Sequence, residues 1–158
     1  MSDGTRLTAD DRFEIHELIA RYNRAVDGRD PDGWAATFTP DGEFHSLLVG
    51  IHTGADALIA FARSFLVEDR YRVWVGGQHW IGNVVIEGDH DRASVFSYHI
   101  MFVPKDDAVA GVLMAAHDDL VVRTADGWRF ARRKLVPWPP GSDPRRWDTP
   151  RGGTDVES

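Results

Sequence analysis

Asp27 and His79 are the residues of this chain whose types fit proton chemistry best. A carboxylate that accepts the Nδ1 proton of an imidazole fixes the ring's tautomer and makes Nε2 more basic. The pair is then a general base that works near neutral pH. Asp27 stands near the end of an expected first helix, and His79 opens an expected strand far downstream, in GQHWIGNVVI. The simpler readings are an Asx-turn carboxylate before Gly28 and a surface or core histidine. A carboxylate at a helix C-terminus gains nothing from the dipole, which favours a partner such as an imidazole.

Two further residues extend this chemistry. Tyr22 lies on the apolar side of the first helix. It reads either as a core tyrosine with one satisfied hydrogen bond or as a proton donor at the floor of a cavity. His99, in SVFSYHIMF, belongs to the next expected strand, and a hairpin can bring it to the same concave face as His79. There it would protonate a departing hydroxyl or hold a carbonyl oxygen; a packed strand histidine is the alternative.

The elements that must position these groups follow from the hydrophobic pattern. Residues 8–28 read as a helix with Thr8 as cap and Asp11 in capping-box position; Ile15, Leu18, Ile19, Tyr22 and Val26 form its stripe. Pro31 starts a short helix over 31–38, buried through Trp34 and Phe38. Asp41–Gly42 signals a turn before a strand over 43–49, and Thr53 caps a third helix over 54–68. The period then changes. Residues 79–87, 91–103, 109–124 and 128–137 read as strands joined by hairpin connections. The fold class expected is α+β, a curved antiparallel sheet wrapped around N-terminal helices. One domain spans 1–137, and 138–158 is a Pro/Gly-rich tail that Trp138 and Trp147 could tack down.

Composition narrows the function. The chain has 158 residues, is 42% hydrophobic and lacks cysteine, which suits one compact domain without disulfides or thiolate chemistry. A net charge of -7, from 25 acidic and 18 basic residues, opposes nucleic-acid binding. The acidic, polar start is not a signal peptide, and no run approaches the roughly eighteen apolar residues of a membrane span, so a cytoplasmic protein is expected. There is no GxGxxG or Walker loop and no serine elbow. His45, His52 and His117 are further possible metal ligands, but there is no HExxH and no short-spaced His/Asp cluster, so no metal site is expected.

Three segments carry a family resemblance: IHELIARYNRAVDGRDPDGWAATFTPDGEF, GQHWIGNVVIEGDHDRASVFSYH and DGWRFARRKL. Across residues 8–136 the chain resembles the SnoaL-like branch of the NTF2-like superfamily. The resemblance implies a cone-shaped, cystatin-like α+β roll around a deep pocket. It is similar to scytalone dehydratase, bile-acid dehydratase and hexachlorocyclohexane dehydrochlorinase, which implies a lyase that needs no metal or organic cofactor. Tyr22, Asp27 and His79 match that group's pattern in order, with His99 near a second polar pocket position. Arg133 matches a frequent arginine of the last strand, where it would anchor an acidic residue or a substrate oxygen; Arg132 is the alternative. Trp74 and Trp80 would hold a ring. The substrate implied is hydrophobic, cyclic and oxygenated. Isomerase, polyketide cyclase and epoxide hydrolase activities, or ligand binding without catalysis, fit the same pocket. A homodimer or homotrimer is expected, since an open sheet needs cover.

Overall fold

The computed structural model describes residues 6–46, 48–67 and 76–142, with only the backbone of Val112. Helix α1, Ala9–Asp27, begins with the expected capping box: the Asp11 N–H donates to Thr8 Oγ1 at 3.1 Å, and the Thr8 N–H donates to Asp11 Oδ2 at 2.8 Å. Asp11 does more than cap. It is buried, pairs with Arg123, and accepts from Trp128 Nε1 at 3.4 Å, so the helix start is fixed to the last two strands. Ile15, Leu18, Ile19 and Tyr22 are buried along one face, with Val26 packed beside them. Helix α2, Pro31–Ala35, is capped by Asp30, and helix α3 spans Ala55–Val67.

Six strands follow the order β2-β1-β6-β5-β4-β3: β1 Phe38–Ser46, β2 Gly50–Thr53, β3 Gln78–Gly88, β4 Arg92–Lys105, β5 Ala108–Thr124 and β6 Gly127–Pro137. The last four fall within two residues of the expected bounds, because their alternation is long and their turns are marked. Gly127, with φ +94, supplies the left-handed turn between β5 and β6.

Three expectations need correction. The sheet is not wholly antiparallel, since β1 runs parallel to β6. The short second helix ends at Ala35, and Phe38 already belongs to β1. Asp41–Gly42 is no turn between elements; it is an irregularity inside β1, where the register against β6 shifts between Phe38 and Glu43. Further register shifts occur at Gly82/Val85, Met101/Phe102 and Leu120/Val121. Each such bulge bends its strand and increases its twist, so the sheet curls into a trough.

The inner face changes character along the strands. On β4, Ala93 and Val95 join the core formed by α1, Trp128 and Phe130, whereas Ser97, His99 and Met101 come later on the same side. Strand alternation keeps these odd-numbered residues inside. Trp138 lies over the outer face, with ring centroids 5.1 Å from Tyr98 and 5.7 Å from Phe96, so the segment after β6 is tacked to the sheet there. Trp147 falls outside the described residues.

Candidate functional site

Asp27 is the final residue of α1, and its carboxylate reaches the start of β3. His79 Nδ1 lies 2.6 Å from Asp27 Oδ1, and the His79 backbone N–H points at both carboxylate oxygens at 3.2 Å. The carboxylate can only accept here, so Nδ1 carries the proton and Nε2 holds the free lone pair. The unfavourable position at a helix C-terminus is offset by three contacts to hydrogen-bond donors. The two side chains are 17% and 25% exposed.

The loop that follows shapes the mouth of the site. Arg29 takes a left-handed backbone, φ 56, and donates from Nε to Leu66 O at 2.6 Å and from Nη2 to Val67 O at 2.9 Å. These are orphan carbonyls at the end of α3. The turn after α1 thus fastens α3 beside Asp27.

Asp27 and His79 lie in the wall of a cavity of about 150 Å³. An engineered apolar cavity of about 150 Å³ holds benzene, so one ring fits. Trp34, Phe44, Phe61, Phe65, Leu66 and Leu113 supply much of the apolar wall, and Tyr22, Ser46, His99 and His117 are among its polar members. Tyr22 packs among Trp34, Phe38 and Phe130. Burial raises its pKa above 10, against the charge of Arg133 and a hydrogen bond with Trp34, so the phenol keeps its proton.

The three histidines form a diagonal stack across β3, β4 and β5. Ring centroids are 5.1 Å apart from His79 to His99 and 5.0 Å from His99 to His117. Burial first, then the charges of His79 and Arg133, hold His99 well below 6.5; burial, Arg133 and the other two rings do the same for His117. Both rings are therefore neutral at pH 7. A neutral His99 suits the second of its two expected roles, holding an oxygen by hydrogen bonding.

Beyond His117 lies a buried ion pair. Arg133 Nη1 is 2.7 Å from Asp119 Oδ2, and neither side chain is exposed. The Lys134 N–H donates to the other oxygen at 3.2 Å. Burial pushes the Asp119 carboxyl up to about 7 despite Arg133. The Arg133 guanidinium also stacks over the Tyr22 ring at 4.2 Å.

Tyr22, Asp27, His79 and His99 thus come together as expected. Of the two arginines, Arg133 is the inward one, and it anchors an acidic residue; it does not line the cavity. Trp80 is misplaced in the expectation. It follows His79 on an alternating strand, so it points to the outer face, is 60% exposed and meets Phe102. Trp74 lies outside the described residues. His117 and Asp119 were missed as site residues; the signal was their two-residue spacing, which puts them on one face of β5.

His45 pairs with Glu43 at 2.8 Å, and His52 stacks on Phe61 and bonds Val49 O. Contrary to expectation, the sequence does contain a short His/Asp cluster, Asp89–His90–Asp91. Among the described residues, Asp89, His90 and Asp91 are the one trio close enough to share an ion. They sit in the β3–β4 turn, and Asp89 already accepts from the N–H groups of Asp91 and Arg92. None of the three lines the cavity.

Comparison with known proteins agrees with this architecture. The model of a family described as a SnoaL-like domain matches residues 7–134. An uncharacterized protein of Mycobacterium tuberculosis, Rv2910c, is 32% identical over 127 residues, covering 78% of this chain and 82% of its own. Two solved structures are similar. One is Rv3472 of M. tuberculosis, a protein of unknown function, with TM-score 0.72, 27% identity, and 85% and 76% of the two chains covered. The other is a Nostoc punctiforme protein of unknown function with a cystatin-like fold, with TM-score 0.73, 27% identity, and 86% and 98% covered.

Proposed function

The chain belongs to the SnoaL-like domain family, and on that premise we propose that it is a cofactor-independent lyase of the dehydratase type. Its substrate is a hydrophobic, cyclic, oxygenated compound. The observation that carries this reading is the 2.6 Å contact between Asp27 and His79 in the wall of an apolar, ring-sized cavity.

The reaction proceeds by proton abstraction and elimination. Nε2 of His79 takes a proton from a carbon beside a carbonyl or leaving group, while Asp27 stabilises the imidazolium that forms. The C–H electron pair becomes the new double bond and the hydroxyl departs. Tyr22 and His99 hold the developing oxygen charge by hydrogen bonding. The proton held by His79 leaves with hydroxide as water. Apolar walls keep bulk water from the intermediate.

His79→Ala is expected to abolish turnover of such a substrate while leaving the thermal transition within a few degrees of wild type. A variant that still turns over would sink the assignment. Isomerisation or cyclisation would use the same base without a leaving group, and product analysis by mass separates them, because only elimination loses water.

The outer sheet face supports a homodimer or homotrimer. Trp80, Ile100 and Met114 are exposed there at 60%, 38% and 39% and are cross-strand neighbours, so they form one continuous apolar row, the kind of surface a second copy can cover. Light scattering on the purified protein tests it: a monomer at micromolar concentration would refute association.

A further inference from the structure

Apart from the Asp27–His79 base, the cavity wall carries polar atoms that no described residue engages. Both ring nitrogens of His99 and Nδ1 of His117 are buried and have no hydrogen-bond partner among the described residues; Asp119 Oδ1 stands 4.0 Å from His117 Nδ1, beyond hydrogen-bond reach. The rings are 4% and 3% exposed, stack at 5.0 Å, and both line the cavity. Buried polar groups in a native protein are nearly always partnered, so an unpaired cluster beside a cavity calls for an oxygen or nitrogen from outside the chain.

The charges around them decide what kind. Among the described residues, Arg29 is the one arginine or lysine in the cavity wall, and its guanidinium is engaged with Leu66 O and Val67 O. Arg133 is fully buried against Asp119. Asp27 adds a carboxylate to the same wall. An anionic ligand would meet no free cation and would lose its hydration. A hydroxyl or carbonyl oxygen would lose much less, and a neutral imidazole can serve it as donor or acceptor.

We propose that His99 and His117 form a recognition pair for an uncharged oxygen on a ring-sized ligand, so that the cavity selects neutral hydroxyl or carbonyl compounds and rejects carboxylates. This deepens the lyase reading by naming the charge class of its substrate. It also assigns His117 a binding role distinct from the base.

The test is binding, not turnover. Phenol, benzoate and toluene are close in size, and at pH 7 only benzoate is charged. Titrated into the full-length protein by calorimetry, phenol is expected to bind at least tenfold more tightly than benzoate. His117→Phe is expected to weaken phenol about tenfold and leave toluene within twofold. Should that variant not fold, His117→Gln and the imidazole 15N shifts of the wild-type protein read the same contact: phenol moves the His99 and His117 signals, and toluene does not. Benzoate binding as tightly as phenol, no phenol binding, equal losses for phenol and toluene, or unmoved ring signals would each overturn the proposal. His79→Ala separates the two readings. Loss of turnover with phenol affinity intact keeps both, whereas turnover that survives removes the base and leaves the recognition pair standing.

Discussion

Asp27 grips His79 at two places at once, its carboxylate meeting the ring through Nδ1 at 2.6 Å and the backbone N–H at 3.2 Å. Position and tautomer of the imidazole are therefore set by one side chain at the end of α1. Asp27→Asn keeps the shape but lets the amide present a donor to Nδ1. The proton then moves to Nε2 and the base is lost. Turnover of a dehydratase substrate is expected to fall by about 10²-fold or more, while circular dichroism stays unchanged. Full activity in Asp27→Asn would show that the carboxylate does not set the tautomer.

The neutral state of His99 and His117 predicts an acid limit to stability. Their pKa values in the folded protein lie well below 6.5, the ordinary value that the unfolded chain regains. As pH falls below about 6.5, the unfolded state takes up protons that the folded state refuses, so stability drops. Each group contributes a slope of up to about 1.4 kcal/mol per pH unit. Asp119 acts in the opposite sense. Its raised pKa, about 7 against 3.8, means that stability from this group is full at low pH and is lost as pH rises towards 7. The comparison is therefore wild type against His117→Phe, by urea unfolding at pH 5 and pH 7.5. The variant is expected to lose less stability at pH 5, and equal losses would contradict a neutral buried ring.

The Asp119–Arg133 pair predicts strong non-additivity. Arg133→Met leaves a buried carboxyl without its partner, and breaking such a pair costs about 3–5 kcal/mol in comparable cases. Adding Asp119→Leu removes the stranded polar group. The double variant is expected to recover most of that loss in urea midpoint, and a double variant no better than the single one would show that the arginine matters through packing alone.

Asp11 predicts an asymmetric cap. Thr8→Ala removes one half of the capping box and is expected to cost about 1 kcal/mol. Asp11→Ala removes the other half together with the contacts to Trp128 and Arg123, so it should cost visibly more. Equal denaturation midpoints for the two variants would mean that those distant contacts contribute nothing.

Much of this was legible in the sequence, for identifiable reasons. The α1 stripe and the four long strands repeat their period often enough to be unmistakable, and Thr8 and Asp11 sit at the spacing a capping box demands. Tyr22, Asp27, His79 and His99 were found from their types and from the family text. Trp80 went wrong because aromatic content says that rings are present but not which side of a strand they take; counting from His79 would have placed it outside. The 38–46 strand was cut short because Asp41–Gly42 has the composition of a turn, and only the partner strand reveals that the chain runs on through it. The parallel pairing of β1 with β6 had no local signal at all, since it joins residues almost ninety positions apart, as in Phe44 opposite Arg133.

That pairing also sets an order of assembly. With β1 wedged between β2 and β6, the opening third of the chain has no seat in the sheet until nearly everything else has been made. During synthesis α1, α2 and the first two strands must wait while β3, β4 and β5 zip up by local hairpins, and the closing strand then clasps both blocks together. A chain stopped just short of Gly127 would therefore lose the one strand that joins β1 to the rest of the sheet and leave α1, through Asp11 and Asp27, as the link between the two blocks, whereas trimming the far edge at β2 would only shorten the sheet.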